Sequence, residues 1–388
     1  MSEWKMVKIG EICEQINGVS YKPADVYDSL TENATVLLRA NNIFEDKLNY
    51  DELVFVDKKR VSKNQYMKKG DILICASSGS KHLVGKAACL TEDKELTFGA
   101  FCKVLRPKTI NPEYIKHYFF SPFYRTEISR LSEGANINNI KAADLENLTI
   151  PLPTESEQNR IAKQLDKCIT IINKQKRALE KYDLLIKSRF IEMFGDPVQN
   201  SKGYKYKKLE ELGKWESGGT PSRKNNDYFK GSIPWYSAGE LNSLYLYDSN
   251  EKITETAIEE SSAKLFRKGS LFVGMYDTAA FKMGIATTDC SSNQACANIF
   301  PNRDVNVIWL YYELMEMKEF FLQNRRGVRQ KNLNLGMIKG FEIPYAPSNL
   351  QNDFAAFVQQ IDKSKFAVQK SLEKTETLYK SLMQKYFS

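Results

Sequence analysis

Histidine is nearly absent from this chain, with only His82 and His117 among 388 residues. Chemistry built on imidazole therefore has little to work with. The seven cysteines, at positions 13, 75, 89, 102, 168, 290 and 296, contain no Cys-x-x-Cys pair, so no zinc-ligand spacing emerges. No metal and no cofactor are expected. An odd set of scattered thiols suits a reducing compartment, so a cytoplasmic location is expected. No apolar run approaches the ~18 residues of a membrane span, and residues 1–5 do not read as a charged-then-apolar leader. Charge is only mildly one-sided. The 56 Lys and Arg against 48 Asp and Glu leave a formal net charge of +8, which fits a polyanionic partner and equally a lysine-rich solvated surface.

Enzyme signatures are missing too. No Asn/Asp-Pro-Pro-Tyr/Phe methyltransferase motif occurs, and the nearest stretch, Asp196-Pro197-Val198, lacks the second proline and the aromatic. The stretch from Gly79 to Gly85 and on to Ala87 superficially resembles a phosphate loop. It has five residues between the glycines instead of four, and alanine where a Mg²⁺-binding hydroxyl is needed. The paired carboxylates Glu210-Glu211 and Glu259-Glu260 sit in charged surroundings and read as solvated faces. No catalytic residue is assigned.

What the chain does have is a second copy of itself. Residues 139–194 align without a gap onto 332–387, with 13 identities in 56 positions. These include Pro151/Pro344, Gln158/Gln351, Asn159/Asn352, Leu179/Leu372 and Phe194/Phe387. The match extends outward with small shifts. Residues 4–9 match 204–209 and Gly18 matches Gly218 at an offset of 200. Lys69-Gly70 and Gly85 match Lys268-Gly269 and Gly284 at 199, and Cys102 and Pro107 match Cys296 and Pro301 at 194. Neither histidine has a counterpart, so no duplicated active site rests on them. Two copies are too few for a solenoid. Each copy has a variable globular part followed by a constant tail.

Within the globular parts, residues 36–39, 53–56, 71–76 and 101–105 read as strands, with 271–275 and 297–300 in the matching places. Residues 111–131 and 305–324 read as helices, Pro112 standing where a first helical turn tolerates proline. In the tails, Thr154-x-x-Glu157 and Ser348-x-x-Gln351 have capping-box spacing. Two apolar seams of period near 3.5 follow. The first runs Ile161, Leu165, Cys168, Ile172, Gln175, Leu179, Tyr182, Ile186, Arg189, Met193. The second runs Phe354, Val358, Ile361, Lys365, Val368, Leu372, Thr375, Tyr379, Leu382, Tyr386. Each helix could pack on its own globular part, yet a helix of about 37 residues spans ~55 Å, longer than such a domain. If the two helices pair, connectivity makes the pair antiparallel.

The fold class expected is therefore α+β. Two pseudo-two-fold-related mixed α/β domains, residues 1–153 and 196–346, alternate with helical spacers at 154–195 and 347–388 that form an antiparallel coiled coil. Two diverged heads suit a polymer with a regular repeat, and double-stranded DNA is the obvious one. Polar loops between strands are the candidate readers. In copy one they hold Arg39, Asn41, Asn42, Ser78, Ser80, Lys81, Asn136 and Asn138. In copy two they hold Tyr236, Ser237, Tyr276 and the basic run of Arg325, Arg326, Arg329, Gln330, Lys331 and Asn332. Arginine suits guanine O6/N7, asparagine and glutamine suit adenine, and lysine and serine suit phosphate.

At this point the chain resembles the DNA specificity (S) subunits of type I restriction–modification systems. The resemblance rests on Ile150-Pro151-Leu152-Pro153 with Glu157-Gln158 and Ile161 at the mouth of the central helix, and on Gly327-x-x-Gln330-Lys331-Asn332-Leu333. A third mark is Gly218-Gly219-Thr220-Pro221 near the opening of the second domain; copy one departs from it with Gly18-Val19-Ser20-Tyr21. The resemblance implies a non-catalytic subunit in which each domain reads one half of a bipartite asymmetric target and the helices act as a ruler. It implies as partners two methyltransferase (M) subunits and, in the larger assembly, restriction/translocase (R) subunits. The alternative is a coiled-coil protein-binding scaffold without DNA specificity.

Overall fold

The computed structural model describes residues 4–44, 46–80, 83–133, 139–323 and 332–388. It has two compact units, Met1–Lys176 with Gln369–Ser388, and Arg177–Val368. Both are mixtures of helix and sheet, as the patterning predicts.

In the first unit an antiparallel sheet orders its strands Cys13–Asn17, Cys102–Pro107, Ile72–Cys75, Ala87–Cys89. A second sheet runs Leu96–Phe98, Ala34–Leu38, Val54–Asp57, Val26–Tyr27, with the first pair parallel. The opening strand Lys5–Lys8 pairs antiparallel with Thr149–Leu152, which leads into the long helix. The second unit repeats this plan. Gly213–Ser217, Cys296–Pro301, Leu271–Gly274, Met283–Ala286 and Tyr245–Leu246 form the larger sheet. Ile233–Tyr236 runs antiparallel to Glu251–Ile253 and parallel to Ser291–Ser292, and Tyr206–Lys208 pairs with Glu342–Pro344. Gly70 and Gly269, matched by the repeat, adopt the left-handed conformation (φ 89° and 87°) that glycine takes without a Cβ penalty.

The helices expected at 111–131 and 305–324 are each two. Pro122 starts a new helix, Pro122–Glu133, after Pro112–Phe119, because its ring cannot continue the preceding turn. In the second unit Val307–Glu316 gives way to Lys318–Leu322 at Met317.

The long helices are Glu155–Phe194 and Ser348–Phe387. All twenty seam positions are buried or half-buried, so the heptad reading located the packed face. Within the first unit the helices pair antiparallel, Gln164 accepting from the Tyr386 hydroxyl (2.9 Å) and Gln175 donating to Ser371 (2.8 Å). Within the second unit Phe190 meets Phe354 with ring centroids 5.4 Å apart. The identical pair Phe194 and Phe387 is used reciprocally. Phe194 packs in the second core against Trp309 and Phe354, whereas Phe387 packs in the first against Tyr114 and Tyr118. The last turns of each helix thus complete the core belonging to the other copy. Packing on a globular part and pairing with the other helix are both present.

The capping boxes differ from expectation. Thr154 accepts from the Glu157 amide at 3.4 Å, but the Glu157 carboxylate faces the Thr154 hydroxyl and not its amide. Gln351 does not cap at all, because its amide is engaged elsewhere. Asn111 and Asn306 each cap a shorter helix, accepting from backbone amides through Oδ1. Their own backbone amides donate to Oε1 of Gln158 (2.9 Å) and Gln351 (2.8 Å). Their Nδ2 groups donate to Asn159 (2.7 Å) and Asn352 (2.8 Å). Gln158 and Gln351 then donate to the carbonyls of Pro153 and Ala346. The same clamp joins head to helix in both units, which accounts for two identities in the repeat.

Candidate nucleic-acid interface

In the first unit, loops far apart in sequence line one cleft of about 780 Å³. Arg39, Asn41 and Ser78 lie on it together, beside Tyr21, Leu83 and Phe101. The short 3-10 turn Ala40–Asn42 positions the first two. Asn42 is fully buried and holds this turn in place. Its Oδ1 accepts from the Arg39 amide (2.8 Å), and its Nδ2 donates to the carbonyls of Asn49 and Asp51. Arg39 donates through one terminal nitrogen to the Glu52 carbonyl (3.0 Å), while its Nε is buried with no partner. Asn41 is exposed and donates to the Glu52 carboxylate at 3.4 Å. Ser78 accepts from the backbone amide of Ser80, which is exposed.

A turn held by backbone hydrogen bonds also lines the cleft. Cys102 donates its amide to the Gly99 carbonyl (2.8 Å), closing a β-turn with Ala100 and Phe101 at the tip. Val19 donates to Phe98 and Ala100 donates to Val19, tying the turn to the segment after Gly18. A Cβ on Gly18 would lie 2.1 Å from the Gly99 carbonyl oxygen, so this close approach demands glycine. Ala76 and Ser77 both donate to the Phe101 carbonyl at 2.9 Å.

The second unit repeats much of this frame. Cys296 donates to Asn293, Gly219 to Ser292 and Met275 to Ala295, and a Cβ on Gly218 would clash with the carbonyls of Ser292 and Asn293. Ser237 precedes the 3-10 turn Ala238–Glu240, its amide and hydroxyl both donating to the Glu240 carboxylate. Tyr276 is 39% exposed. Tyr236 is buried, its hydroxyl has no partner, and burial pushes its pKa up to about 12. Leu333, just after Asn332, donates its amide to Met275, as Ile140 does to Ala76 in the first unit. Lys81, Asn136, Asn138, Arg325, Arg326, Arg329, Gln330 and Lys331 lie outside the described residues.

Sequence reasoning passed over Tyr21, Leu83 and Phe101, because apolar residues beside strands read as core. Phe101 was included in a strand; the turn ends one residue later, with Cys102–Pro107. All seven cysteines are buried and unpaired. No helix among the described residues is long and apolar enough to cross a membrane.

A family model for the type I restriction modification DNA specificity domain matches residues 1–181 and again 201–376. The chain is 42% identical over 185 residues to the type I restriction enzyme StySPI specificity subunit of Salmonella potsdam, covering 47% of this chain and 40% of that one. It is 38% identical over 208 residues to the EcoKI specificity subunit of Escherichia coli K12, covering 53% and 45%. The match thus spans less than half the length of these two relatives. Among solved structures, the S subunit of a type I restriction-modification system from M. genitalium is similar in fold. Its TM-score is 0.64 at 14% identity, covering 100% of this chain and 96% of the other.

Proposed function

The chain belongs to the type I restriction modification DNA specificity family, and on that premise we propose that it is the sequence-specific, non-catalytic DNA-binding subunit of a type I restriction–modification complex. Domains at residues 1–153 and 196–346 each read one half of a bipartite asymmetric target. The helical segments 154–195 and 347–388 set the spacing and dock two methyltransferase subunits, with restriction/translocase subunits joining the larger cytoplasmic complex.

One observation carries this reading: a frame written twice, with different side chains at its tips. Two readers of unlike half-sites need that combination, because the backbone must present loops alike while the side chains differ. In the first domain Arg39 and Asn41 suit guanine and adenine edges, and Ser78 with Ser80 and Lys81 suits phosphate. Asn136 and Asn138 extend that set. In the second, Ser237, Tyr276 and Asn332 are the base-facing candidates, and Arg325, Arg326, Arg329, Gln330 and Lys331 form a basic run suited mainly to phosphates. Asn42 and Tyr236, both buried, serve by shaping these loops.

Methylome sequencing of cells carrying this gene with its methyltransferase genes tests the proposal. A two-part adenine-methylation motif with an unread gap is expected. Methylation that ignores sequence, with DNA binding that depends on salt alone, would favour the scaffold instead.

A further inference from the structure

At the tip of the turn at 99–102 the two heads differ in chemistry, and Phe101 there is 71% exposed. The backbone that carries Phe101 is held from several sides. Its carbonyl accepts from both Ala76 and Ser77, the turn closes through Cys102 and Gly99, and Gly18 lets the neighbouring backbone press against it. The equivalent turn, 293–296, repeats three of the five bonds, those made by Cys296, Gly219 and Met275, and has Gln294 and Ala295 at its tip. A framework that needed a large aromatic there would need it twice. Beside Phe101 the cleft holds Tyr21 and Leu83 together with Arg39. An exposed apolar ring on a turn held by backbone bonds, in a cleft that also holds a guanidinium, is suited to an edge offering both an apolar group and acceptors.

We infer that Phe101 is a specificity-determining residue of the first recognition domain, its ring taking the C5 methyl of a thymine in the half-site that domain reads. This rests on the DNA-reading proposed above. The thymine methyl is the apolar group that a base pair displays in the major groove of an intact duplex, and phenylalanine is among the side chains that meet it. Stacking would require an unstacked base. The methyl contact requires none.

The test uses the full chain with its methyltransferase subunits and the target found by methylome sequencing. Each thymine of both half-sites is replaced in turn by uracil, which removes only the methyl, and binding is measured for the parent, Phe101→Ala and Phe101→Leu. The parent should lose about threefold to tenfold at one thymine of the first domain's half-site, the scale of one buried methyl group. Phe101→Ala should bind thymine and uracil there equally and keep the parent's profile over the other half-site. Phe101→Leu should retain part of the preference. An unchanged uracil profile in Phe101→Ala, or no sensitive thymine in that half-site, overturns this inference alone. A parent complex that ignores sequence in both half-sites overturns the DNA-reading as well.

Discussion

The junction of head and helix is built alike in both copies, while the turns beside the cleft are built alike and finished differently. At the junction, Asn111, Gln158 and Asn159 recur as Asn306, Gln351 and Asn352 with hydrogen bonds that agree within about 0.2 Å. At the turns, three of the five backbone bonds recur, yet Ala100-Phe101 becomes Gln294-Ala295. A buried side chain whose every polar atom has a partner cannot drift without leaving a donor or acceptor unpaired. A side chain at the tip of an exposed turn has no such constraint. Duplication followed by divergence therefore preserves the mount and frees the tip.

The largest effect should come from the shared seam. Leu372 is 6% exposed, and Leu372→Asp would place an unpaired charge there, costing about 3–5 kcal/mol. Ile172, on the other helix, is only half-buried, so Ile172→Asp should cost distinctly less. Denaturant midpoints for the two variants check the order. A Leu372→Asp midpoint no lower than the parent's would mean that Leu372 does not lie in a packed seam.

The clamp should come next, and its two copies should respond alike. Gln158→Leu and Gln351→Leu each strand a backbone amide and a carbonyl, at about 2–4 kcal/mol apiece. Thermal melts of both variants measure this. A large loss in one and none in the other would break the equivalence of the junctions.

A smaller effect should fall on one unit only. Glu313, 2% exposed on Val307–Glu316, stands where the first unit has the buried Tyr118. Burial, helped by the nearby Glu316 carboxylate, pushes its pKa from 4.5 to about 8. The unfolded chain therefore releases this proton before the folded one does. Stability from this group is complete below the ordinary carboxylate range and declines as pH rises through about 8. Between pH of about 6.5 and 8 the loss should be on the order of 2 kcal/mol, and Glu313→Gln should flatten it. Melts of parent and variant across that range decide the matter, and a parallel decline in the variant would assign the sensitivity elsewhere.

Much of the frame was legible beforehand, because it leaves periodic or repeated marks. The seams fall on the packed faces, and the glycines at 18, 70, 218 and 269 stand as matched pairs in the repeat. The clamp was half legible. Gln158-Asn159 and Gln351-Asn352 stood out as identities, but their partners Asn111 and Asn306 lie 47 and 45 residues upstream, at a different offset. Side-chain pairing across that distance leaves no periodicity to read. The cleft was less legible still. Loop polarity located Arg39, Asn41 and Ser78, yet equally selected Asn42 and Tyr236, whose burial depends on how neighbouring loops close over them. Phe101 was overlooked for the converse reason, since hydrophobicity beside a strand gives no sign of which way a turn points.

Two independent readers, each on its own copy of the frame, should be separable. Exchanging residues 1–153 for the matching segment of a relative with a known, different target, and sequencing the methylome of cells carrying the hybrid with its methyltransferase, tests it most directly. One half of the methylated motif should change to the donor's, with the other half and the gap kept as in the parent. A motif in which both halves change together would contradict it.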